Sequence, residues 1–289
     1  CLVVKMSIRN PMLLFLLSIM LITVAVISIS IKSTPNAYTI TEYEKNYLFN
    51  SPLIEIDTIS GTSPPSSGDW NISDTTVVEN EVLIINGSIF IESGGALILK
   101  NSIIYMNLSY DGEFWIEVLG GGNLTVIDSE ITAYNLSNNY YIKVDSGSSL
   151  YIKKGKISYA GYSWGTNGDR SGLWINTDNV TIEDTIISNN YYGMIIRSSN
   201  NVTIANCVIT NNTYYAIYAY SGNNITISNC TISNNMYGLE IYHSSNVVTF
   251  NCTVFNSYYS GVDISGSDYI TLSNCTIFDN QKGVYIDLF

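Results

Sequence analysis

Apolar and polar residues alternate along most of this chain in short bursts. This period of two predicts β-strands and no amphipathic helices. Val202-Thr203-Ile204, Ile225-Thr226-Ile227, Val248-Thr249-Phe250 and Ile270-Thr271-Leu272 are four such bursts, each leading to an Asn-Cys pair. Two residues after each cysteine stands another apolar residue: Ile209, Ile232, Val254 or Ile277. A polar turn (Asn211-Asn212, Asn234-Asn235) and a small residue then open a second alternating run, as in "GMIIR", "AIYAY", "GLEIY", "GVDIS" and "GVYID". Cys207, Cys230, Cys252 and Cys275 mark the repeat at gaps of 23, 22 and 23. The unit containing Val248 reads as one residue short before Asn251.

The register extends upstream. Leu97, Leu124, Leu150 and Val180 match Val202; Ile104, Ile131, Ile157 and Ile187 match Ile209; Asn101, Asp128, Lys154 and Asp184 match Asn206. Each unit holds three short strands that cannot bury their apolar sides alone, so stacked units predict an all-β solenoid, a parallel β-helix of about eight coils. At one strand spacing per coil the rod is roughly 40 Å long. Leucine-rich repeats would need an L-x-x-L-x-L frame, which is absent.

Like residues should then stack on like. Cys207, Cys230, Cys252 and Cys275 are expected as an inward ladder of free, packed thiols, in the place that Ser102, Ser129, Gly155 and Thr185 hold earlier. Stacked Cβ vectors run parallel, which fails disulfide geometry, and a linear ladder without histidine offers no tetrahedral metal cage. Asn206, Asn229, Asn251 and Asn274 are expected beside them as an interior ladder, bonded to backbone and to the Asn one coil away. On that reading three of the twelve N-x-[ST] sequons, at Asn229, Asn251 and Asn274, are closed to glycans, whereas Asn107 and Asn135 are outer candidates.

Composition narrows the class. The net charge is −12 with 12 Lys and Arg in 289 residues, so no basic stripe exists for nucleic acid. Lys5 and Arg9 precede an uncharged apolar stretch at residues 12–31, long enough to span a bilayer and long for a signal sequence. Residues 1–32 are therefore expected as signal peptide or membrane anchor, 33–75 as a stalk or N-terminal cover, and 76–289 as the solenoid. Any membrane contact is assigned to 12–31 alone, and the solenoid to the outside of the cytoplasm. The chain starts at Cys1 and stops at "GVYIDLF" without a cap, as a fragment of a longer protein would.

The "NVTIANCVITNN" units resemble the right-handed parallel β-helix proteins with CASH or NosD-like repeats, and "GSIFIESGGALILKNSIIYMN" is similar to the opening coils of archaeal cell-surface proteins of this fold. The resemblance covers roughly residues 70–289 and implies the fold. The matching residues are scaffold, and the family spans polysaccharide hydrolases, lyases and epimerases, surface-layer proteins and copper-enzyme accessory factors. His243 is the one histidine, which argues against the copper role. The paired-Asp and G-H-G motifs of polygalacturonases and the Arg-centred signature of pectate lyases are missing.

One face is chemically suggestive. In the second run the outward positions form two columns: Ile195, Tyr218, Glu240, Asp263, Tyr285, and Arg197, Tyr220, Tyr242, Ser265, Asp287. Glu240 and Asp263 would lie one strand spacing apart, near the ~5–5.5 Å of a retaining glycosidase pair. Tyr218, Tyr220, Tyr242, Tyr285 and Arg197 are candidate glycan contacts. Yet polar residues and tyrosine are the default of a solvated sheet, so two acids among ten positions require no function. Two carboxylates also fall short of the 6–8 oxygens of a calcium site. "GTNGDR" at 165–170, with Trp164, reads as a tolerated insertion, and "GGG" at 120–122 as a turn.

The expectation is an extracytoplasmic rod that contacts glycans or neighbouring surface proteins, without cofactor or catalysis. The alternatives are a polysaccharide hydrolase or lyase using Glu240 and Asp263, and a NosD-like accessory protein.

Overall fold

The computed structural model describes residues 58–162 and 168–287. These form 29 strands and no helix. From β2 (Trp70–Ile72) onward every third strand joins the same sheet, and all pairings along the stack are parallel. Three long sheets result. Sheet A runs from β3 (Thr75–Glu79) to β27 (Asp268–Ser273), sheet B from β2 to β29 (Lys282–Asp287), and sheet C from β4 (Val82–Ile85) to β28 (Thr276–Phe278). They wind through about nine coils, one more than the repeat count predicts. The extra coil lies at the start, where Trp70 is fully buried in a strand that the 33–75 segment was expected to hold outside the solenoid. β1 (Thr58–Ser60) pairs antiparallel with β3 and sets Ile59 against the first core layer, so it covers that end of sheet A.

One aliphatic column per inward position fills the core. Ile182, Ile204, Ile227, Thr249 and Leu272 stack in sheet A; Ile187, Ile209, Ile232, Val254 and Ile277 stack in sheet C. The register corrects one alignment. Val247 and Thr249, not Val248 and Phe250, follow Ile225 and Ile227 inward, and Val248 faces solvent. The missing residue lies earlier, between Asn235, which matches Asn212, and Tyr237, which pairs with Tyr215. The small residue that opens each sheet B run is set by the next coil: a Cβ on Gly238 would meet the Gly261 carbonyl at 2.2 Å.

The cysteines stack inward as free thiols, with Cys207, Cys230 and Cys252 buried and Cys275 half-buried. Each sulfur lies near the carbonyl two residues back, at 3.2 Å for Cys207 and Cys230. Ser102, Ser129 and Thr185 donate to the same carbonyl, at 2.7, 2.6 and 2.8 Å.

The asparagines before them are not interior. Asn206, Asn229, Asn251 and Asn274 are exposed, each with positive φ, at the corner that turns the chain from sheet A to sheet C. Asparagine tolerates that left-handed conformation, and the corner needs it. Their amides form an outer ladder: Asn206 donates to Asp184 (3.0 Å), Asn229 to Asn206 (3.1 Å) and Asn251 to Asn229 (3.2 Å). The interior amide ladder is a different set, Asn190, Asn212 and Asn235. Each accepts a backbone N–H from the coil before it, from Ala160 (2.7 Å), Asn190 (3.1 Å) and Asn212 (2.9 Å). Residues 1–57, which include the apolar stretch at 12–31, and residues 163–167 lie outside the described residues.

Candidate functional site

The outer face of sheet B carries the predicted columns. β17 (Tyr192–Arg197), β20 (Tyr215–Tyr220), β23 (Tyr237–Tyr242), β26 (Ser260–Ser265) and β29 pair in register. Ile195, Tyr218, Glu240, Asp263 and Tyr285 therefore succeed one another, and so do Arg197, Tyr220, Tyr242, Ser265 and Asp287. The first column continues back through Trp174, Lys143, Glu117 and Phe90.

This face is not the open, solvated surface that the alternation implies. Ile195 is buried, and Glu240 keeps only 9% of its surface exposed. The cover is a file of tyrosines at the entry to each strand, which the columns alone do not include. Tyr192 stacks with Tyr214 (5.4 Å, 13°), Tyr215 lies 4.8 Å from Tyr237, and Tyr237 stacks with Tyr259 (5.1 Å, 27°). Tyr215 also stacks on Tyr218 (5.0 Å, 19°). The signal was present as "YY" at 191–192, 214–215 and 258–259, the same point of each coil.

Under that cover Glu240 has no hydrogen-bond partner among the described residues. Burial, and then the charge of Asp263 on the next rung, push its carboxyl up to about 7. Asp263 is also raised by burial, though the Ser260 hydroxyl at 3.4 Å and the Lys282 ammonium offset part of this. Glu240 in turn raises the phenols of Tyr215, Tyr218 and Tyr237, for which burial is the larger cause. A carboxyl that titrates close to neutrality beside a second carboxyl is able to give a hydrogen bond when protonated and accept one when ionised.

The second column is more open. Arg197 lies over the Tyr220 ring at 5.5 Å, and Tyr220 stacks on Tyr242 (5.6 Å, 15°). His243 is exposed in a left-handed turn against the Tyr242 ring (4.1 Å). Tyr285 is exposed, with Lys282 3.9 Å above its ring.

Toward the first coils the same face bears an ion cluster. Lys143 bonds Glu117 (2.5 Å) and Asp145 (3.1 Å), beside stacked Trp115 and Tyr141 (5.6 Å, 4°). A groove of about 400 Å³ lies elsewhere, along the corner lined by Asn80, Asn101, Asp128 and Lys154. Four of its charged side chains are already paired, Lys156 with Glu130 (2.7 Å) and Lys154 with Asp128 (3.8 Å). No three His, Cys, Asp or Glu side chains among the described residues converge as metal ligands.

Residues 171–288 match the family model for the right handed beta helix region, a stretch that includes Glu240 and Asp263. The chain is a right-handed parallel β-helix. No curated protein matches it. Among solved structures the β-helix is similar to the periplasmic alginate epimerase AlgG, at 14% identity and TM-score 0.37, over 74% of this chain and 66% of that one. It is similar also to the Dettilon tailspike protein (11%, TM-score 0.45, 66% and 43%). A third is the Streptococcus pneumoniae surface protein and adhesin PfbA (11%, TM-score 0.33, 73% and 91%). The chain spans just under two-thirds of the epimerase and less than half of the tailspike protein. At such identities the likeness is one of fold.

Proposed function

We propose that this β-helix is an extracytoplasmic rod that works by contact, and that the outer face of sheet B binds glycans. The carrying observation is the tyrosine file along the strand entries, Tyr192, Tyr214, Tyr215, Tyr237 and Tyr259, with Tyr218, Tyr220 and Tyr242 beside it. Stacked along the rod, the rings present a row of edges and hydroxyls to a sugar chain, at little cost in side-chain entropy. The apolar stretch at 12–31, read from the sequence as signal peptide or anchor, and the Asn-, Thr- and Tyr-rich composition support a place outside the cytoplasm. The test is retention of the full chain on a panel of immobilised polysaccharides. Retention without new reducing ends or unsaturated products, and its loss in Tyr218→Ala, is the expected result.

A second reading has one specific observation in its favour. Glu240 titrates near neutrality beside a second carboxylate, as a general acid or base should. A polysaccharide-active enzyme would show turnover that vanishes in Glu240→Gln or Asp263→Asn while the fold persists.

A further inference from the structure

We propose that the cross-strand pair Glu240 and Asp263, beside the rings of Tyr215, Tyr218 and Tyr237, receives the ammonium group of an N-unsubstituted amino sugar. This names the ligand class of the glycan-binding face and rests on that reading.

The argument begins with a missing partner. Glu240 is more than nine-tenths buried, yet no donor among the described residues bonds to it. Buried carboxylates are otherwise paired, because leaving water without a counter-charge is costly. The same face shows the ordinary solution at Glu117, where Lys143 and the Trp115 indole N–H (3.0 Å) supply the missing charge and donor. At Glu240 the rung below holds the neutral phenol of Tyr218 and the rung above holds Asp263, so the one ionisable carboxyl beside it adds no counter-charge. The cations nearest in register are engaged with rings at the margins, Arg197 over Tyr220 and Lys282 over Tyr285. Asp287 adds a further carboxylate on β29.

The surroundings fit the same ligand. The rings beside the pair stack on one another, Tyr215 on Tyr218 and Tyr237 on Tyr259, so they offer edges and hydroxyl oxygens to a ligand. An ammonium between Glu240 and Asp263 would bond both carboxylates, while the sugar hydroxyls reach the phenol oxygens. A hard divalent cation would lack oxygens here. A uronic-acid polymer would meet two carboxylates on a chain of net charge −12. An N-acetylated sugar would bring no charge to pair them.

The experiment is calorimetry of the full chain with chitosan oligosaccharides, the matching N-acetylated oligosaccharides and a neutral β-glucan of equal length. The expected result is at least tenfold tighter binding of the free-amine series. Binding at pH 6 should release protons, since the ammonium displaces the proton that Glu240 holds there. Both effects should disappear in Glu240→Gln and persist in Asp268→Asn, which removes one exposed charge elsewhere. Equal affinity for the amine and N-acetyl series would overturn the ammonium site and leave the glycan-binding face standing. A preference that survives in Glu240→Gln would make it a property of overall charge and overturn the site too. Failure of all three series to bind would overturn the glycan reading itself.

Discussion

Glu240 and Asp263 are direct cross-strand neighbours on β23 and β26, and their carboxyl groups share the outer face of sheet B one rung apart. Their environments differ. Glu240 lies beneath the tyrosine file without a donor, whereas Asp263 is half-exposed near the Ser260 hydroxyl. Identical outward positions on adjacent coils thus carry carboxyls that burial raises to different ends: Glu240 with no donor to offset it, Asp263 with a hydroxyl and an ammonium that do.

This relationship fixes a pH dependence. Glu240 titrates at about 7 in the folded chain and near 4.3 when unfolded, so its folded value is the higher. Below the unfolded value both states are protonated and nothing is lost. As pH rises toward 7 the unfolded state ionises first and stability falls, by about 2 kcal/mol once the residual exposure of the site is allowed for. Urea midpoints of the full chain should therefore drop between pH 4.5 and 8. In Glu240→Gln most of that drop should vanish, leaving the variant the more stable protein at pH 8. An unchanged pH slope would mean that Glu240 is paired.

Lys143 offers the converse case. Burial pushes Glu117 up, but the bonds from Lys143 and Trp115 outweigh it and hold that carboxyl below its usual range. Lys143→Met leaves Glu117 and Asp145 facing one another without a cation. A loss of about 1–2 kcal/mol is expected at pH 7, less than for a fully buried pair because these groups keep some solvent. Adding Glu117→Leu should recover most of it. A double-mutant cycle in urea measures the difference.

The thiol ladder is a matter of volume. Ser102, Ser129 and Thr185 occupy the cysteine position and donate to the same carbonyl, so Cys230→Ser should cost under about 1 kcal/mol. Cys230→Leu should cost about 1–3 kcal/mol by forcing the stacked side chains apart. Mild oxidation of the native chain should leave Cys207, Cys230 and Cys252 unlinked by mass spectrometry.

The repeat made the scaffold legible. Period-two runs and the cysteine spacing identify three strands per coil, and Glu240 and Asp263 come out as neighbours from counting alone. Burial on the outside of a sheet has no such periodicity. Glu240 and Ile195 occupy outward positions and are buried because side chains three residues earlier fold back over them, a contact that alternation does not encode. The asparagine ladders show the same limit. "NCTISNN" contains Asn229 and Asn235, and composition treats them alike. Only the backbone decides: the positive φ at Asn229 turns its side chain to solvent, while Asn235 points inward.

That contrast yields the last prediction. Asn235 accepts the Asn212 N–H (2.9 Å) and side-chain amide (3.0 Å), and it donates to Ser233 (2.8 Å) and Ile209 (3.3 Å) carbonyls. Asn235→Leu removes the acceptor and leaves the Asn212 donors buried and unpaired, at a cost of about 2–4 kcal/mol. Asn229 makes its ladder bond in water, so deleting that bond costs little. What matters at Asn229 is the left-handed corner. Asn229→Gly should fall within about 1 kcal/mol of wild type, whereas Asn229→Val, β-branched at φ 54°, should lose about 1–3 kcal/mol. Urea denaturation of the three variants separates the two ladders. A large loss in Asn229→Gly with a small one in Asn235→Leu would reverse the assignment of outer and inner amides.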